Sequence, residues 1–255
     1  MATVPSIVGI LCLTGLIVSC VYFGFMLAFG HKIASKMLHV VEISKEEFTT
    51  LQQQVQQVSQ KMSIKAPKIG VIEELRPNAF TLGHGRNVMM VVSIGLLNNF
   101  RDEELTAILA HELAHIKQND FFFKTACYFL NILLFFNPLS YLVRSQALKE
   151  RELLADEQAA KLLKKPHLMA TTLIKIEKML QAFPKEHLKS QLSTSIFLIS
   201  PVAYRPALLA THPPISCRVH NLLNAQPKLK IKPKKIVALT LSLIFIMVFA
   251  RVFHY

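Results

Sequence analysis

The sequence predicts a mainly α chain with a small antiparallel β-sheet, an α+β domain held between N- and C-terminal transmembrane helices. Three observations carry that prediction. Residues 4 to 29, VPSIVGILCLTGLIVSCVYFGFMLAF, contain no charged side chain. Residues 67 to 93 hold three short β-patterned stretches separated by turn residues. Beyond them, apolar residues recur at helical spacing around the pentapeptide HELAH, residues 111 to 115.

The first run exceeds the roughly 20 apolar residues that a membrane helix requires. A signal peptide, the rival reading, wants a basic start and a short apolar core, and this segment has neither. The string IVSC loosely resembles a lipoprotein cleavage site at Cys20, again without the basic start. A second run, IVALTLSLIFIMVFA at 236 to 250, is short for a hydrocarbon core of roughly 30 Å. Extended through Phe253, with Arg251 snorkelling to the interface, it becomes adequate. The alternative is a buried C-terminal helix. The expected organisation is therefore a transmembrane helix over 1–30, a domain over 31–233 and a transmembrane helix over 234–255. Lys32 and Lys36 follow the first run, and Lys228, Lys230, Lys232, Lys234 and Lys235 precede the second. Both basic flanks face the middle of the chain, which the positive-inside rule places in the cytoplasm of a two-span cell-membrane protein. The lysine cluster suits either anionic lipid or a solvated linker.

Composition agrees. Of the 255 residues 52% are hydrophobic, and the net charge is +13. The mean hydropathy is +0.37 and the pI about 9.7. A basic balance suits nucleic acid or an anionic membrane. The apolar runs select the lipid bilayer as partner, and no nucleic acid is expected. Cys12, Cys20, Cys127 and Cys217 form no CxxC pair, so neither a disulfide framework nor a thiolate metal site is indicated.

Residues 31 to 62 read as a polar helix with Val55, Val58 and Met62 in helical period. PKIGVIEEL (67–75), NAFTLG (78–83) and NVMMVVS (87–93) read as short strands, with GHGR (83–86) as a hairpin turn. His84 in that turn reads as a turn residue. A helix follows in RDEELTAILAHELAHIKQND, with Asp102 as its N-cap and Glu103 and Glu104 at its positive end.

HELAH therefore lies on a helix. His111 and His115 project from one face a turn apart, so their imidazoles can converge on one zinc ion. Glu112 then stands beside a water whose pKa zinc lowers to about 7, and takes its proton during attack on a carbonyl. This is the arrangement behind HExxH peptidases.

Candidates for a third ligand lie in LKERELLADEQAAKLL, 148 to 163. Leu148, Glu152, Ala155 and Ala159 share one face, which sets Glu152 among apolar neighbours where an unpaired carboxylate is costly. Asp156, one turn on, can accept a hydrogen bond from a ligand histidine or a nearby arginine. The alternative makes Glu150, Glu152, Asp156 and Glu157 ordinary surface charges; downstream of HExxH, the ligand reading is preferred. The intervening FFFKTACYFLNILLFFNPLSYLV (121–143) is apolar enough to cross a membrane, but a lone crossing would separate His115 from Glu152. Asn137-Pro138 is a turn signal. Helices over 121–136 and 139–152 run about 24 Å out and about 21 Å back. An apolar helical hairpin over 121–150 thus returns Glu152 to the histidines, its apolar face against the bilayer or the terminal spans.

The chain resembles two related groups of membrane zinc metallopeptidases. LAHELAHIKQND, the stretch ending FFNPL, and ERELLADEQAA are similar to the peptidase domain of the BlaR/MecR antibiotic-sensor family. RPNAFTLG, VSIGLL and THPPISCRVHNLL look more like the HtpX and CAAX prenyl protease family. The resemblance spans roughly residues 60 to 225. It implies a zincin-like gluzincin fold with one zinc per chain on His111, His115 and Glu152, and Glu112 as general base and acid. It also implies His212 in THPP as a transition-state stabiliser and Arg218 as the partner of Asp156. From the residues alone, His212 before two prolines is equally a loop residue. The HtpX pattern has more spans and a longer insert before the glutamate, whereas the compact hairpin fits the BlaR side. No penicillin-binding sensor domain is read in these residues, so neither heat-shock quality control nor antibiotic sensing carries over.

The function expected is that of a membrane-anchored zinc endopeptidase with a cytoplasmic site, acting on protein or peptide substrates bound along a sheet edge offered by NAFTLG or NVMMVVS. One alternative is a regulatory peptidase that cleaves a repressor or signalling partner. Another is an inactive membrane scaffold, against which the intact Glu112 argues.

Overall fold

A computed structural model describes residues 4–44, 46–85, 87–133, 138–183 and 213–224. The second apolar run and His212 lie outside the described residues. The elements are α1 (Val4–Met37), β1 (Val41–Glu42), α2 (Thr49–Lys61), β2 (Lys68–Ile72), β3 (Ala79–Leu82), β4 (Met89–Ser93), α3 (Ile94–Asn99) and α4 (Asp102–Lys117). They continue with α5 (Asp120–Leu133), α6 (Pro138–Leu163), α7 (Pro166–Ala182) and α8 (Ile215–Leu223).

Within α1, Leu13–Met37 is long and apolar enough to cross a membrane. Ile17, Val18, Val21 and Phe25 stand exposed along it. Its last turns behave differently: Ala34 is buried with Ile72, Leu82 and Val91, so the end of α1 covers one face of the sheet. The polar helix read over 31–62 is not continuous. The chain leaves α1 at Met37, His39 and Phe48 take left-handed backbone (φ 49° each), and β1 forms between them before α2 begins. Two left-handed residues break a helical ladder more firmly than the pattern of valines and glutamines suggests.

The sheet runs β1-β2-β4-β3 and is mixed, which corrects the antiparallel expectation. The pairs β1/β2 and β3/β4 are antiparallel, but β2 and β4 are parallel from Lys68↔Met89 to Ile72↔Ser93. The reason lies in β4. Met90, Val91 and Val92 form an unbroken apolar run and are fully buried, Met90 and Val92 in the core of α2 and α4, Val91 against the end of α1. A strand covered on both faces takes an interior place, and continuous apolar runs mark such strands. The hairpin β3–β4 therefore inserts its second strand beside β2 and leaves β3 at the edge. Of the two stretches proposed to offer an edge, NAFTLG does and NVMMVVS does not.

The crossover between β2 and β3 is pinned by few groups. Ser93 Oγ donates to Arg76 O (2.7 Å) and accepts from Asn78 N (2.9 Å) and Leu96 N (3.1 Å), joining crossover, strand and the N-terminus of α3. Gly95 N donates to Glu74 O (2.8 Å). Below the sheet, α4 is central, packing on α2, β3, α5, α6 and α7. Leu109 and Leu113 are fully buried and contribute roughly 1.5–3 kcal/mol each. Arg101, not Asp102, is the N-cap, its N–H held by Glu104 Oε2 at 2.9 Å.

A Cβ added at Gly95 would lie 2.0 Å from Leu75 O and 2.3 Å from Leu75 C, backbone atoms that cannot swing aside. Gly95→Ala is expected to destabilise the fold by about 2 kcal/mol or more, as overpacking does. Thermal unfolding in detergent checks this; an unchanged Tm would show that the crossover does not pass so close.

Candidate metal centre

Helix α4 presents His111, Glu112 and His115 from its buried stretch. It ends at Lys117, and Asn119 takes left-handed backbone (φ 53°), so Asp120 opens α5 at a new angle. Helices α5 and α6 pack against each other, and both pack on α4. On α6, Glu152 lies on the face with Leu148, Ala155 and Ala159, all buried.

This brings His111, His115 and Glu152 together at 7%, 6% and 2% exposure. One donor atom from each lies within 4.8 Å of the others. His115 Nε2 is 3.0 Å from His111 Nε2. The carboxylate straddles the pair, Glu152 Oε2 at 3.6 Å from His111 Nε2 and Oε1 at 3.5 Å from His115 Nε2. A tetrahedral ion with bonds of about 2.0–2.1 Å has ligand–ligand edges of about 3.3 Å. The three separations bracket that value, so this donor set fits a metal ion such as zinc.

Each imidazole is backed on its far nitrogen by a carboxylate, and each carboxylate by an arginine. His111 Nδ1 contacts Asp156 Oδ1 at 2.9 Å, and Arg218 of α8 grips Asp156 with Nε to Oδ2 at 2.7 Å and Nη2 to Oδ1 at 2.6 Å. His115 Nδ1 lies 2.5 Å from Asp120 Oδ2. Arg151 binds Asp120 Oδ1 and also the carbonyl of Gln118. Carboxylates in these positions orient the rings and turn their other nitrogens toward the centre.

The electrostatics favour a cation. Burial disfavours protonation of His111, but the Asp156 and Glu152 carboxylates outweigh it and push its pKa up to about 9. Burial would likewise raise Asp156, yet its hydrogen bonds from Arg218 and the neighbouring His111 hold it below the usual carboxylate range. Arg218 is raised despite its burial, chiefly by Asp156.

The structure brings Asp156 and Arg218 together as a hydrogen-bonded ion pair behind His111. Asp120, Arg151 and Lys124 escaped sequence reasoning. Asp120 follows the motif closely in HIKQND, where left-handed Asn119 separates α4 from α5. Lys124 Nζ lies 3.7 Å from Glu152 Oε1. His84, read as a turn residue, stacks on Phe121 (5.7 Å between centroids, 6° between planes) and lines a small cleft with Thr81, His115 and Asp120.

The model of peptidase family M48 matches residues 45–151 and 136–226. A protease HtpX homolog of Thermodesulfovibrio yellowstonii is 26% identical over 235 residues, covering 78% of this chain and 83% of that one. One of Acidiphilium cryptum is 30% identical over 210 residues, covering 69% and 73%. Among solved structures, the crystal structure of S. mikatae Ste24p superimposes with a TM-score of 0.56 at 16% identity, over 82% of this chain and 57% of that one. Of the two resemblances read in the sequence, these findings carry the HtpX and CAAX protease side.

Replacing Arg218 alone by Met leaves the Asp156 carboxylate buried with only His111 as counter-charge. It should cost about 3 kcal/mol, whereas Asp156→Leu combined with Arg218→Met should cost less than Arg218→Met alone. Urea unfolding of the metal-free protein measures both; equal losses would mean that the pair is not coupled.

Proposed function

The chain belongs to peptidase family M48, whose members are metalloproteases, and we propose that it is a membrane-anchored zinc endopeptidase with its site on the cytoplasmic side. The observation that carries this reading is the dry His111–His115–Glu152 set at tetrahedral spacing, with Glu112 adjacent on the same helix. A zinc ion on those residues supplies Lewis acidity toward the scissile carbonyl and acidifies water nearby.

The chain's own groups do the rest. Asp156 and Asp120 hold the two rings with their Nε2 atoms inward. Glu112 takes a proton from the attacking water and returns it to the leaving amine as the C–N bond breaks. Strand β3 is a sheet edge packed against α4, so an extended protein or peptide segment added to it runs past the site. His212 of THPP is proposed to donate to the developing oxyanion, with Arg218 acting through Asp156.

The membrane reading rests on α1 and its neighbours. Phe23, within the apolar part of α1, packs on Phe122 (6.2 Å) and Phe129 (5.0 Å) of α5. The exposed Phe122, Leu130 and Ile132 then face the lipid that surrounds α1. Lys32 and Lys36 end the span on the side of the catalytic domain, which the positive-inside rule assigns to the cytoplasm. The span at 234–255 completes the proposed two-span topology.

Metal analysis of purified protein should find about one zinc per chain, lost in Glu152→Ala. Glu112→Gln should keep the zinc and the fold while casein cleavage falls by about 10²-fold or more. Asp156→Asn and Asp120→Asn should each weaken zinc affinity by about 10–100-fold. Zinc retained in Glu152→Ala sinks the ligand set; cleavage retained in Glu112→Gln sinks the mechanism.

A further inference from the structure

The cleft beside the donor set has one wall that the chemistry above does not use. His84, in the turn between β3 and β4, stacks its imidazole on Phe121 at the start of α5, with 5.7 Å between centroids and 6° between planes. Offset stacking of this kind favours one mutual arrangement of the two rings. The backbone under His84 is held as well. Asn87 N donates to His84 O at 3.2 Å. Gly83 takes φ 80°, and a Cβ there would lie 2.1 Å from Asn87 O, so the turn is closed on itself. Thr81, Ile116 and His115 line the cleft with these rings, and it leaves a volume of about 10 Å³, room for no more than about one water.

The alternation of β3 decides which substrate side chain meets this wall. Successive side chains of a strand point to opposite faces. Phe80 and Leu82 pack with Ala34 and Val91 on the α1 side, whereas Ala79 packs with the core around α4. Thr81 therefore faces α4, as its place in the cleft beside His115 requires. A segment added along the β3 edge sets the residue opposite Thr81 on that same face. Its side chain enters between Thr81 and the His84–Phe121 pair. We propose that His84 is a specificity-determining residue, whose ring closes this subsite to all but small side chains on the substrate residue that pairs with Thr81. This rests on the zinc endopeptidase reading and on substrate lying along β3. A side chain larger than those of glycine, alanine or serine has to break the stack and turn the His84 ring out of the cleft. Asp120, which also lines the cleft, is already engaged by His115 and Arg151, so selection here is by size and not by charge.

The full chain, loaded with zinc in detergent micelles, is given a peptide library of mixed sequence, and the bonds cut are read by mass spectrometry. Wild type is expected to select small residues at one position beside the scissile bond. His84→Ala removes the wall, and Leu, Met and Phe at that position should rise about tenfold relative to Ala and Ser, the scale on which pocket size discriminates. His84→Phe, which keeps a ring over Phe121, should retain the wild-type profile. Phe121→Ala removes the other half of the stack from a different element and should relax the profile as His84→Ala does. A merely structural role for His84 would slow all cuts alike and leave the profile unchanged in His84→Ala; that result overturns the proposal. Wild type that cuts peptides with no size preference beside the bond overturns it too, while the endopeptidase reading stands. Wild type that cuts no peptide overturns that reading, and this inference with it.

Discussion

Three lone-pair donors held together in a nearly dry interior create a demand for positive charge, and the rest of the fold is arranged around that demand. His111, His115 and Glu152 converge from two helices at under a tenth exposure. Charges interact strongly there because little water screens them. Asp156 and Asp120 keep the imidazoles oriented but deepen the negative charge, and Arg218 and Arg151 answer it. The result is two parallel histidine–aspartate–arginine relays, one anchored by α8 and the other by α6 itself. Burial opposes a proton on His111, but the Asp156 and Glu152 carboxylates outweigh it and raise its pKa.

Topology serves the same end. Helix α4 brings two donors together with Glu112; the third donor comes from a segment far along the chain. The α5–α6 hairpin makes the return, and its seam carries Asp120 and Lys124 on one helix against Arg151 and Glu152 on the other. Its outer side is apolar and packs on α1 through Phe23. These two helices thus have a charged seam beside the donor set and an apolar back toward α1. In the sheet, β4 occupies an interior place and leaves β3, which packs on α4, at an edge. The burial of Met90 to Val92 decides which strand of the β3–β4 hairpin lies at the edge.

Much of the centre was legible in the sequence because it is encoded locally. HELAH on a helix sets two histidines on one face with a glutamate beside the first through the helical period, and Glu152 could be singled out because a carboxylate among Leu148, Ala155 and Ala159 needs a partner. The Asn137-Pro138 signal let the apolar stretch be read as a hairpin, although residues 134–137 lie outside the described residues. Less legible were features fixed by long-range pairing. The parallel β2/β4 register, the break of the 31–62 helix by two left-handed residues, and the partnership of Asp120 with Arg151 have no strong local signature. Arg101 displaced Asp102 as the cap because Glu104 reaches back to its N–H, a geometry that residue preference alone does not resolve.

By itself, the sequence determined the class of chemistry: an HExxH helix, a following glutamate, a lipid-compatible N-terminal helix and a mainly helical chain with a small sheet. These depend on periodicity and residue type, which the backbone geometry of single elements makes readable. Only the tertiary structure decided which charges answer one another, which strand is the edge, and that Lys124 stands against Glu152. Such choices depend on distances of a few ångströms between segments far apart in the chain. In a low-dielectric interior those distances set the energies, and no local pattern of residues records them.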